Sequence, residues 1–121
     1  MQVNRHQEAL ETTQQLVESI AQITRFLPRH EDMVMVPMMR DAVMTIQKSV
    51  MMLAIGQLNA GDSDHHCAEG LGKIEVLRTY LQISFDLEYI RSDDFNRLTR
   101  LLEIVRQKLS LPKKPKLEIV K

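Results

Sequence analysis

The sequence predicts an all-α protein, an antiparallel up-and-down four-helix bundle, and three observations point there. First, residues 71–109 hold two apolar-striped segments joined by the short stop-and-restart Tyr89-Ile90-Arg91-Ser92-Asp93-Asp94-Phe95. Leu71, Ile74, Leu77, Leu81 and Phe85 step by three and four, and so do Phe95, Leu98, Leu102, Val105 and Leu109. That spacing keeps one helix face apolar, and so short a connection folds the pair back antiparallel. Second, Pro28 and the Gly61 region divide the rest of the chain into further helical stretches. Third, 121 residues with 44% hydrophobic but only 4% aromatic content, four Gly and four Pro, fit one domain. Its core is built from Leu, Ile, Val and Met.

The first helix is expected from about Val3 to Leu27, with Leu16, Ile20, Ile23 and Leu27 as its seam. Pro28 stops it, because proline lacks the N–H and disfavours the helical conformation of the residue before it. A polar link, Arg29-His30-Glu31-Asp32, follows. The second helix runs from Pro37, a favourable first-turn residue, to about Asn59. Met33–Val36 either extends it upstream or leads into a kink at Pro37. Ala60-Gly61-Asp62-Ser63 reads as a loop, with Ser63 or Asp64 capping a third helix that reaches about Tyr89. Ser92 is a natural N-cap for the fourth helix, Asp93–Ser110, and Asp93 and Asp94 place negative charge on its positive end. Residues 1–111 then form the bundle. Residues 112–121, opening with Pro112-Lys113-Lys114-Pro115-Lys116, form a basic C-terminal tail that is not regular helix.

Composition excludes several classes. A single cysteine gives no internal disulfide framework and fits a reducing compartment. No apolar run approaches the roughly 20 residues that span a bilayer. The stretch Gln2 to Gln15 is too polar for a signal peptide. The expectation is a soluble, cytoplasmic protein without a membrane partner.

The zero net charge conceals an asymmetry. Residues 91–121 hold nine Lys/Arg against four Asp/Glu, a balance of +5, whereas residues 1–90 hold seven against twelve, a balance of −5. A local basic patch makes its own field, so the neutral total leaves a polyanion partner open.

The apolar stripes exceed what one small core needs. Helix two carries Met39, Val43, Ile46, Val50 and Leu53, and beside them Met44, Met51, Ile55 and Leu58. Helix three carries a second set, Val76, Tyr80, Ile83, Leu87 and Ile90. A bundle helix needs one inward stripe, and larger exposed patches mark interfaces. The surplus predicts a homo-oligomer, with Val76, Tyr80, Ile83 and Leu87 as oligomer or partner contacts.

Catalytic and metal motifs are weak. Asp64-His65-His66-Cys67 resembles a ligand cluster, but neighbouring helical side chains diverge by about 100° and do not converge on one ion. Cys67 has no pattern that supplies a base. Gly70 and Gly72 follow no strand, which excludes a dinucleotide or phosphate loop, and close helix–helix approach is the better reason for them. No Glu-x-x-His pair suggests a di-iron bundle. The expectation is a protein without catalytic residues, metal or cofactor.

The basic residues of helix four form the main candidate site. Arg97, Arg100 and Lys108 fall within about 80° of one another, off the apolar seam, with Leu101 and Ile104 on the same side. Arginine mixed with apolar residues suits a phosphate-contacting surface or a protein interface. Lys113, Lys114 and Lys116 of the tail extend it as non-specific phosphate contacts. The alternative is a solvated face neutralised by pairs such as Arg100–Glu103.

One resemblance bears on this reading. The chain orders Phe26-Leu27-Pro28-Arg29, an apolar second helix closing at a polar loop, and Leu77-Arg78 with Leu81. It continues through Tyr89-Ile90-Arg91-Ser92-Asp93-Asp94-Phe95 into Leu102-Glu103-Ile104-Val105-Arg106. Over roughly residues 5–110 this resembles the small four-helix-bundle family that includes the rRNA intervening-sequence proteins. Within it the chain is most similar to the accessory variability determinant (Avd) proteins of diversity-generating retroelements. A Ser-Ile-Pro stretch of the rRNA type is absent, and Val105 stands where the Avd-like pattern has glycine. The resemblance implies a pentameric assembly with a basic surface that binds RNA or DNA and associates with a reverse transcriptase, without a catalytic centre of its own. It also implies Arg78 and Arg106 as nucleic-acid contacts.

Overall fold

Helix α1 spans Gln2–Arg25 and buries Ala9, Leu16 and Ile20 along one side. The computed structural model describes residues 2–56 and 59–110 of the chain. Thr12, Thr13 and Thr24 also lie on the buried side of α1, and their hydroxyls donate back to the carbonyls of Glu8, Leu10 and Ile20 at 2.9, 2.8 and 2.6 Å. Such back-bonding lets a threonine sit in an apolar layer without an unpaired group. The helix ends before Leu27, sooner than the seam suggests, because the residue ahead of Pro28 is steered out of the helical region. Leu27 stays buried regardless.

A 3-10 turn, Arg29–Glu31, leads to α2, Met35–Ile55. Pro37 falls in the first turn of α2, where its missing N–H has no intrahelical partner to lose. The helix therefore extends upstream of Pro37 without a break there. It stops short of Asn59 because Gly56 adopts φ 73°, and its N–H donates to the Leu53 carbonyl at 3.2 Å. Glycine enters this left-handed conformation without a side-chain penalty.

Helix α3, Ala60–Asp86, starts earlier than Ser63. The Asn59 side chain caps it, Oδ1 accepting from the Asp62 N–H at 2.8 Å, so Ala60-Gly61-Asp62-Ser63 is its first turn and not a loop. It also ends sooner than Tyr89. The N–H of Tyr89 donates to the Ser84 carbonyl at 2.7 Å and that of Glu88 to Phe85 at 3.0 Å. This is a Schellman ending, with Glu88 at φ 66° in the position glycine usually fills. Helix α4, Ser92–Leu109, has Arg91 at its cap position with no side-chain cap bond. Ser92 is thus the first helical residue rather than the cap, while Asp93 and Asp94 do occupy the first turn.

Cross-helix contacts fix the directions. Along α3 and α2, Gly70 meets Ser49, Lys73 pairs with Asp41 at 3.2 Å, and Ser84 meets Met35 at 3.3 Å. Rising numbers on one helix meet falling numbers on the other. The same holds for α3 and α4 through Gly70–Leu109, Arg78–Glu103 and Phe85–Phe95. It holds for α1 and α2 through Gln14–Gln47 and Thr24–Arg40, and for α1 and α4 through Glu8–Lys108 and Ser19–Arg97. Each helix packs on its chain neighbours and α4 closes the ring on α1. The result is an antiparallel up-and-down four-helix bundle, with no strand among the described residues. Leu16, Ile20, Met39, Ile46, Ile74, Leu77, Leu81, Leu98, Leu102 and Val105 fill its centre.

At the pole where the link from α1 meets the α3–α4 turn, the Tyr89 hydroxyl donates to Glu31 at 2.7 Å and lies 3.1 Å from His30 Nε2. The bond to the Glu31 carboxylate holds the phenol proton more firmly than usual and raises the Tyr89 pKa. Residues 59 and 58 positions apart are joined here, which no local pattern indicates.

Candidate nucleic-acid interface

Helix α4 turns Leu98, Leu102, Val105 and Leu109 inward. At about 100° per residue, Arg100 then points almost directly away from the core, Arg97 and Lys108 lean toward α1, and Arg106 leans toward α3. The five cations surround the outer part of α4, Arg97 and Lys108 on its α1 flank, Arg78 and Arg106 on its α3 flank and Arg100 between them, and their surroundings differ.

Arg97 is tied down. Its Nη1 donates to Ser19 Oγ at 2.8 Å, and its Nη2 lies 3.4 Å from Asp94 Oδ1. Lys108 Nζ sits 3.2 Å from Glu8 Oε1 across the α1–α4 seam. Glu103 accepts from Arg106 Nε at 3.0 Å and from Gln107 at 3.3 Å, and Arg78 approaches it at 3.6 Å. Its carboxylate therefore goes to Arg106 and Arg78, and the Arg100–Glu103 pair does not form. Arg100 is exposed and makes no ion pair or side-chain hydrogen bond among the described residues.

The Arg106 hydrogen bond holds the Glu103 carboxyl below its ordinary value of 4.5, against a smaller opposing push from desolvation. The same bond raises the Arg106 pKa, with Glu103 and then Glu75 adding electrostatic support. A carboxyl with a lowered folded-state pKa contributes stability that is present above its unfolded value and is lost as pH falls through the folded one. Glu103→Gln should therefore flatten the acid side of the stability profile below about pH 4.5, read from melting temperatures across an acid pH series. An unchanged acid limb would remove Glu103 from that account.

The expected apolar contacts divide differently from the prediction. Val76, Tyr80 and Ile83 are half-buried and pack on the bundle's own core, as does Leu101. Ile90 is buried, and of that second α3 stripe only Leu87 is largely exposed, at 53%. The α3 stripe is consumed internally, packed against the core that α3 shares with α2 and α4. The surplus lies on α2 instead, where Met44, Met51 and Ile55 stand exposed. Half-buried Leu10 and Val17 of α1 border the same groove, a contribution the sequence reading missed. Ile104 is half-buried beside Arg100 and Arg97.

Leu58, Lys113, Lys114 and Lys116 lie outside the described residues. Among the described residues no group of three or more His, Cys, Asp and Glu side chains is placed to hold a metal ion. His65 and His66 both turn toward Glu69, each at 4.0 Å. No helix of the described residues is long and apolar enough to cross a membrane. In comparison with known proteins, no family model matches the chain and no curated protein matches it.

Proposed function

We propose that this protein is a non-catalytic accessory factor that binds RNA or DNA through the outer side of α4 and the adjoining edge of α3. One observation carries the reading. Against Arg78, Arg97, Arg100, Arg106 and Lys108, three carboxylates lie within ion-pair reach: Asp94, Glu103 and Glu8. The patch keeps excess positive charge, and Arg100 offers an unpaired guanidinium to a phosphate. Held on two packed helices, Arg78 on α3 and the other four on α4, these groups would contact phosphates rather than read bases, so affinity would be electrostatic and salt-dependent.

The resemblance to the Avd proteins supplies the setting: a cytoplasmic homo-oligomer, five copies by that likeness, working with a reverse transcriptase in mutagenic cDNA synthesis. Under this reading Lys113, Lys114 and Lys116 add phosphate contacts beyond the bundle. A second reading, a helical protein–protein adaptor with no nucleic-acid role, is favoured by the exposed apolar groove between α1 and α2.

A salt titration of binding to structured RNA and to duplex DNA separates the two. Arg100→Glu, alone and with Arg97→Glu, should weaken binding and reduce the salt slope by about one for each phosphate no longer neutralised, with the fold intact by circular dichroism. Glu103→Gln should act oppositely, since it releases Arg78 and Arg106 from their shared carboxylate. Absence of binding by the wild-type protein at low salt, or indifference of a folded Arg100 variant, would defeat the nucleic-acid reading.

A further inference from the structure

Near the C-terminal end of α1, the α1–α2 side of the bundle holds an apolar pocket bordered by two arginines and no acid. Val17 and Ala21 of α1 and Val43 and Met44 of α2 line a cavity of about 330 Å³, together with Arg25 and Arg40. The Gln47 amide donates to Gln14 at 3.1 Å and separates it from a second pocket around Leu10 and Met51. Arg40 donates to the Thr24 hydroxyl at 2.9 Å, and neither arginine has an acidic partner among the described residues. Glu11, Glu18 and Arg25 are all exposed and recur every seven residues, so they form one line along the outer crest of α1, about 10 Å apart. The two carboxylates receive only glutamine amides, from Gln7 at 3.4 Å and Gln14 at 3.0 Å. The line reads acid, acid, base.

The sequence beyond α4 carries the opposite order. Lys113, Lys116 and Glu118 read base, base, acid, and in an extended segment they fall about 10 Å and then 7 Å apart. Leu117 and Ile119 alternate with Lys116 and Glu118, which puts them on the other side of such a segment. The segment also begins at the foot of the charged line, because Lys108 pairs with Glu8, three residues before Glu11. We propose that residues 111–121 fold back along α1 of the same chain. Lys113 then meets Glu11, Lys116 meets Glu18, Glu118 enters between Arg25 and Arg40, and Leu117 and Ile119 fill the apolar pocket.

The lengths agree as well. The ten residues from Ser110 to Val120 span at most about 36 Å, whereas Arg25 stands about 26 Å along α1 from Glu8, which leaves length for the turn. A tethered segment meets its groove at an effective concentration in the millimolar range, so a contact of modest strength holds it. Docking lies within one copy and sets no limit on the number of copies in an assembly. Docked, Lys113 and Lys116 are held by α1 and become available to a phosphate only when the segment lifts. The contact would then restrain nucleic-acid binding, but it stands whether or not the protein binds nucleic acid.

Paramagnetic broadening in the full chain tests it. A nitroxide on Gln22→Cys, with Cys67→Ser to leave one thiol, should broaden the NMR signals of Leu117 and Ile119, since Gln22 is exposed and within one turn of Arg25. Arg25→Glu should lower the docking constant by about tenfold and remove the broadening, because it sets like charges together. Adding Glu118→Arg should bring the broadening back. In an equal mixture of labelled chain and unlabelled, isotope-enriched chain, the unlabelled chain should show none. Limiting trypsin gives a reading without any cysteine change: cleavage after Lys116 should be about tenfold faster in Arg25→Glu than in the wild type, since it follows the undocked population. Arg25 is exposed, so helix content should not change. Unbroadened Leu117 and Ile119, broadening that survives Arg25→Glu or passes between chains, a charge swap that restores nothing, or equal trypsin rates would each overturn the proposal.

Discussion

Leu102→Ala should lower the unfolding free energy by about 2–5 kcal/mol, as large a loss as any single truncation on α4 should give. Leu102 is fully buried on the inward line of that helix with Leu98, Val105 and Leu109. Removing its branched end takes away the transfer energy of the deleted carbons and leaves a cavity that flanking helices only partly fill. Domains of this kind hold about 5–15 kcal/mol in total, so the loss approaches the whole margin at the lower end. Leu101, one position along, is half-buried at the edge of the core, and its truncation should cost much less. Urea unfolding of the two variants measures the difference. Equal midpoints would contradict the inward assignment of α4. Because Leu102→Ala threatens the fold itself, only Leu101→Ala serves as a fair probe of the outer face in binding assays.

The neighbouring residue's different fate shows what a sequence can specify. The four helices and their inward lines were legible because three-and-four apolar spacing is a local property. Their ends were less so. The second helix was expected to run to Asn59, and the left-handed Gly56 ends it sooner. At the start of α3, Gly61, Asp62 and Ser63 are poor helix formers, and the Asn59 cap outweighs them. The end of α3 was hidden for the opposite reason: Glu88 takes a conformation that would ordinarily call for glycine.

The candidate site divides along the same line. That Arg100 faces away from the core follows from its position on the helix alone. That Arg97 is anchored to Ser19, and that Glu103 chooses Arg106 and Arg78 over Arg100, depends on neighbouring helices and long side-chain conformations. The surplus apolar surface shows both cases at once. Met44, Met51 and Ile55 form a second stripe on α2 and remain exposed, whereas Val76, Tyr80 and Ile83 form one on α3 and are absorbed by the core. Periodicity counts apolar faces, but which of them the neighbouring helices cover is a matter of tertiary packing.

Gly70 and Gly72 should respond to the same substitution with opposite signs. A Cβ on Gly70 would lie 2.8 Å from Leu109 Cδ1 and 3.0 Å from Ser49 Cβ. The leucine tip can swing aside, but Ser49 Cβ is one bond from the α2 backbone, so α2 and α3 must separate. Overpacking of this kind costs about 1–3 kcal/mol and worsens with larger side chains. A Cβ on Gly72 meets nothing within 4 Å, so Gly72→Ala should gain the roughly 1 kcal/mol that alanine holds over glycine in a helix. Gly70→Ala receives the same propensity gain and should still be destabilised, and Gly70→Val more so. The Ser49 hydroxyl is buried without a hydrogen-bond partner, consistent with a position selected for size where α2 packs on Gly70. Ser49→Gly in the Gly70→Ala background should therefore recover stability that the two single changes do not predict by addition. Denaturant midpoints for the four proteins of that cycle, with Gly72→Ala as the reference, decide it. Gly70→Ala as stable as Gly72→Ala would mean that the helices do not touch here.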